Sequence, residues 1–83
     1  MEFNDFSKIM FKILDMEPVP VLETTVFKEE LEIDSLQMIN LVIGVAEHFN
    51  IPFETFIQNT NQILSVGGLF KVVKGGKDHE VSW

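Results

Sequence analysis

The sequence predicts an all-α fold: a small four-helix bundle with a long loop between helices 1 and 2 and a short helix 3. Three observations predict it. Apolar residues recur at helical spacing in separate stretches. Prolines and polar runs divide those stretches. The one segment with strand-like composition, around residues 19–22, has no partner strand elsewhere in the chain. With 83 residues, 46% of them hydrophobic, there is room for a single core and too much apolar material for a disordered chain.

Over residues 4–16, Phe6, Ile9, Met10, Ile13 and Leu14 share one helical face, and Lys8 and Lys12 fall on another. Asn4 or Asp5 is suited to cap this first helix. Pro18 and Pro20 end it. Residues 17–33 then lack periodicity. A loop that long is usually functional or well anchored, and Val21, Leu22, Val26, Phe27 and Leu31 are the expected anchors.

The second helix, over residues 35–49, is the strongest element. Leu36, Met38, Ile39, Leu41, Val42, Ile43, Val45, Ala46 and Phe49 are apolar, and only Gln37, Asn40, Gly44 and Glu47 make a polar stripe, with His48 beside it. In a domain this small such a helix cannot be covered on all sides, so part of its apolar surface is expected to face a partner. Phe49 is expected in the core. Asn50-Ile51-Pro52 breaks the helix. Residues 53–59 suit a short third helix and 58–62 a polar loop. A last helix is expected over 66–73, with Ser65 as its cap and Gly67 and Gly68 weakening its first turn. Residues 1–73 form one domain in this reading, and 74–83 a flexible C-terminal tail.

Composition excludes several functions. There are 13 acids, six lysines and no arginine, for a net charge of −7. Nucleic acid and anionic membrane surfaces demand the opposite sign, and a basic protein partner suits it. Without cysteine the chain has no disulfide, thiolate metal site or cysteine nucleophile. The opening residues are acidic, unlike a signal peptide, and no apolar run approaches the ~20 residues of a membrane span. The expectation is a monomeric cytoplasmic protein without stable membrane insertion.

Enzyme chemistry is poorly supported. Ser35 and His48 lie thirteen positions apart on one helix, roughly 20 Å along its axis, too far to share a proton. His79 falls in the expected tail. Glu29, Glu30, Glu32 and Asp34 cluster without the glycine turn and alternating ligands of a calcium loop, so no metal site is assigned. No catalytic residue is assigned either. Ser35 stands out because it sits where the long loop gives way to the dominant helix. A serine there is suited to be an N-cap, and its hydroxyl lies where a phosphate would be favoured by free N–H groups and the helix dipole.

Glu29-Glu30-Leu31-Glu32-Ile33-Asp34-Ser35-Leu36 resembles the attachment motif of acyl carrier proteins and related phosphopantetheine carriers. The likeness continues through Leu41-Val42, Glu47-His48-Phe49, Ile51, Phe53, Ser65-Val66 and Leu69. Three residues of the motif recur by chance, but the motif with these spacings, a preceding helix and a long loop is specific. The resemblance implies a four-helix bundle of the acyl-carrier type. It implies 4′-phosphopantetheine attached covalently at Ser35 by a phosphopantetheinyl transferase, with Asp34 helping to position the transferase's magnesium and coenzyme. It implies that the chain shuttles acyl thioesters and is not an enzyme. Leu36, Met38, Ile39, Ile43 and Glu47, with Asp34, match the family's docking positions for acyl-transferring or acyl-synthesising enzymes that bring basic patches.

The chain also departs from that pattern. Gln37, Asn40 and Ala46 stand where many members carry acids, and negative charge gathers before Ser35 instead. That favours a specialised fatty-acid, lipid or polyketide-type pathway. A D-alanyl or other aminoacyl carrier is one alternative. A peptidyl carrier fits less well, because Glu32-Ile33 stand where those usually have glycine. From another class, an unmodified acidic helical adaptor would keep the fold without needing Ser35.

Overall fold

In the computed structural model the backbone is described for residues 2–81 and the side chains for 2–75. Five α-helices and one 3-10 turn follow in order: α1 (Phe3–Leu14), α2 (Phe27–Glu30), α3 (Ser35–Phe49), α4 (Phe53–Ile57), the turn η1 (Gln62–Leu64) and α5 (Val66–Val81). Four of these correspond to the expected bundle. The additions are α2, a single turn inside the long loop, and η1. Neither is long enough to carry a periodic signal.

α1 buries Phe6, Met10 and Phe11. Its cap is Glu2, two or three residues earlier than expected, with the Glu2 amide donating to the Asp5 carboxylate at 3.3 Å. It ends on Asp15 in the left-handed conformation (φ 57°), and the Met16 amide donates to the Phe11 carbonyl at 3.0 Å. Phe6 is fully enclosed, its ring 5.2 Å from that of Phe70 and 6.1 Å from that of Phe49. These rings tie α1 to α3 and α5. Phe49 itself is only half-buried, which corrects its assignment to the core.

α3 turns Leu41, Val42, Val45 and Ala46 inward and leaves Leu36, Ile39 and Ile43 exposed. Gly44 in its middle lets α1 come close: a Cβ there would stand 2.5 Å from Ile13 Cγ2. The helix ends on Asn50 (φ 56°), from which Ile51 returns its amide to the Ala46 carbonyl at 2.9 Å.

The long loop is fastened by backbone hydrogen bonds to the start of α5. The Val66 amide donates to the Thr25 carbonyl and the Gly67 amide to the Glu23 carbonyl, both at 2.9 Å. Ser65 caps α5 as expected, its Oγ accepting from the Gly68 amide at 3.1 Å. Phe27 and Ile33 are the deep anchors of the loop, whereas Leu22 is 71% exposed and does not anchor it. The last helix, expected to stop at 73, continues to Val81. The remaining two positions of the expected tail, 82–83, lie outside the described residues.

Candidate functional site

The chain reaches Ser35 through a tightly specified turn. Leu31 and Ile33 both donate their amides to the Phe27 carbonyl, at 3.2 and 3.1 Å, folding the segment back on α2. Glu32 between them takes φ 55°, a left-handed conformation that a side chain adopts at a cost of about 1 kcal/mol or more. Ile33, 2% exposed, plugs into the core immediately afterwards. Asp34 follows in extended conformation, and α3 begins at Ser35.

The cap of α3 is Asp34, which corrects the reading of Ser35 as N-cap. The Gln37 amide donates to Asp34 Oδ1 at 2.8 Å, and the Asp34 amide donates to Gln37 Oε1 at 3.1 Å. This reciprocal box satisfies the third-position amide and leaves the Ser35 and Leu36 amides at the open end of the helix. Ser35 is therefore relieved of a structural hydrogen bond. Its side chain is exposed, and its hydroxyl stands at the positive end of a fifteen-residue helix. Asp34→Ala is expected to destabilise the fold by about 1 kcal/mol in urea melts, the ordinary cost of losing a cap. A loss as small as that of a surface substitution would mean the box carries no stability.

Ser35 stands on the rim of a cleft of about 360 Å³. Phe27, Ile33, Met38, Ile39 and Leu64 supply its apolar walls, and Lys28, Glu29 and Asp34 its charges. Met38 is half-buried and packs against the core, whereas Leu36 (67%) and Ile39 (51%) are exposed. Further along the same helix, Ile43 and Glu47 line a second groove, of about 440 Å³, with Ala46, Asn50, Ile51 and Phe53. The structure thus groups Asp34, Ser35, Met38 and Ile39 at one cleft and Ile43 and Glu47 at another. Leu36 lines neither. The sequence reading missed Phe27, Lys28, Ile33 and Leu64 as cleft residues. They come from the non-periodic loop and the 3-10 turn, and the burial of Phe27 and Ile33 together with the backbone hydrogen bonds of the loop brings them to the start of α3.

The histidine chemistry rejected above stays out of reach. His48 is exposed near the opposite end of α3 from Ser35, and the side chain of His79 lies outside the described residues. Among the described residues, no helix is long and apolar enough to cross a membrane.

Comparison with known proteins gives the site its context. The chain is 29% identical to an acyl carrier protein of Wolinella succinogenes over 75 residues, which is 90% of this chain and 96% of that protein. It is 29% identical to an acyl carrier protein of a Sulfurovum species over 72 residues, 87% of this chain and 93% of that protein. The chain is similar to acyl carrier proteins over most of its length. The likeness spans nearly the full length of both relatives. The all-α acyl-carrier fold is the one described here, with α1, α3, α4 and α5 as its four helices. Acyl carrier proteins, which the chain resembles, are carriers and not enzymes. No family model and no solved structure matches the chain.

Proposed function

We propose that this chain is an acyl carrier protein that holds acyl groups as thioesters on a 4′-phosphopantetheine arm joined to Ser35. The observation that carries the reading is the exposed Ser35 hydroxyl, at the first position of α3, released from capping by Asp34 and bordered by an apolar cleft. A phosphodiester fits this setting. The Ser35 and Leu36 amides and the helix dipole favour negative charge there, and nothing buries the oxygen. The arm supplies a thiol, which a chain without cysteine otherwise lacks.

Attachment occurs within a phosphopantetheinyl transferase. Ser35 Oγ bonds to the β-phosphorus of coenzyme A, the pyrophosphate bond breaks, and adenosine 3′,5′-bisphosphate leaves. The hydroxyl proton passes to a base of the transferase, and Asp34 helps to orient its magnesium and coenzyme. Acyl-transferring or acyl-synthesising enzymes then dock on Leu36, Met38, Ile39 and Ile43, with Asp34 and Glu47 meeting basic side chains. The absence of acids on α3 before Glu47 supports apolar docking and a specialised pathway over a general one. The protein works in this reading as a cytoplasmic monomer, and residues 74–83 serve as a C-terminal appendage to the carrier domain.

The test is incubation with coenzyme A, magnesium and a broad-specificity phosphopantetheinyl transferase, read by intact mass. The wild type is expected to gain one arm and Ser35→Ala none. Ser35→Ala is expected to keep its stability within about 0.5 kcal/mol, as surface changes usually do, so the loss of labelling is not a loss of fold. An unlabelled wild type beside a labelled control carrier would favour the unmodified adaptor.

A further inference from the structure

We propose that Lys28 is a positioning residue for the phosphate joined to Ser35: its ammonium pairs with the phosphodiester across the mouth of the cleft. The inference rests on the carrier reading above. Lys28 is on α2, the single turn that the sequence alone did not reveal. The two hydrogen bonds to the Phe27 carbonyl fold residues 31–33 back over that turn, so Lys28 comes to line the same cleft as Ser35. It is the one cation among the residues of that cleft, where the other charged side chains are Glu29 and Asp34.

Lys28 forms no ion pair among the described residues, despite Glu29 and Glu30 beside it in sequence. Before loading, the mouth of the cleft therefore holds an uncommitted cation among acids. A phosphodiester on Ser35 adds a negative charge at that mouth. The added charge is drawn to Lys28 and to the open amides of α3, and repelled by Glu29 and Asp34. The attraction of Lys28 and of the open α3 amides, set against the repulsion of Glu29 and Asp34, fixes the phosphate at the mouth of the cleft beside Lys28. Lys12, on α1, lines no part of this cleft and serves as an internal reference.

The experiment compares unloaded and loaded protein, wild type and Lys28→Gln, with intact mass reporting loading in each case. Lysine side-chain resonances and the phosphorus resonance are then recorded at low salt and at about 1 M salt, where the screening length falls to about 3 Å. The expected result is that loading moves the ammonium and ε-methylene resonances of Lys28 and leaves those of Lys12 in place. The phosphorus resonance should differ between loaded wild type and loaded Lys28→Gln at low salt and converge at high salt. Loaded protein in which Lys28 does not respond, with identical phosphorus resonances in both variants, would overturn the role of Lys28 and leave the attachment intact. Failure of both proteins to gain mass would instead remove the carrier reading on which the inference depends. The wild-type comparison needs no substitution, so it stands even where Lys28→Gln loads poorly.

Discussion

Gly68→Ala is expected to destabilise the protein by about 2 kcal/mol or more, against the sign of helix propensity. In an open helix the substitution would gain up to about 1 kcal/mol. Here a Cβ on Gly68 would run into the carbonyl oxygen and carbon of Gln62, which are backbone atoms of η1 and cannot rotate away. The neighbouring Gly67 faces the same difficulty, with Glu23 backbone atoms 2.6 and 2.8 Å from its would-be Cβ. Relief requires separating η1 from α5, and that strains the hydrogen bonds fastening the long loop to Val66 and Gly67. Gly75→Ala is the control: it lies on the same helix with nothing within 4 Å of its would-be Cβ, so it should be neutral or stabilising. Urea melts of the two variants check this. Equal shifts in the two would mean that the start of α5 is not crowded.

Phe6→Ala is expected to cost roughly 3–5 kcal/mol. The ring is fully enclosed and contacts Phe49 and Phe70, so its loss leaves a cavity where three helices meet. For 83 residues, total stability is on the order of 4–12 kcal/mol, so the variant would stand close to unfolding at room temperature. Phe49→Ala should cost less, because that ring is half-buried. A Phe6→Ala midpoint in urea near that of the wild type would contradict this core.

The helical elements were legible where periodicity or chain breaks were strong. Residues 35–49 gave both limits of α3, because the apolar run is continuous and Asn50 and Pro52 close it. The cap was misread because Asp34 and Ser35 are both good capping residues. Gln37 three positions after Asp34 was the signal that decides between them, since it completes the reciprocal box. The turn α2 was invisible because four residues hold no period. Gly67 and Gly68 read as weak helix formers, whereas their purpose is close backbone approach, a property of tertiary contact. Ser35 and the exposed apolar residues of α3 were legible as a candidate site. Its cleft was not, since Phe27, Lys28 and Leu64 reach it through loop hydrogen bonds rather than helix spacing.

The direct measurement of the central claim is peptide mapping of the protein purified from cells that make it. Tryptic cleavage after Lys28 and Lys71 isolates one peptide holding Ser35 together with Thr55, Thr60 and Ser65. Fragment ions are predicted to carry the phosphopantetheine on Ser35 alone. A peptide bearing it on another hydroxyl, or bearing none while carriers from the same cells are modified, would contradict the account.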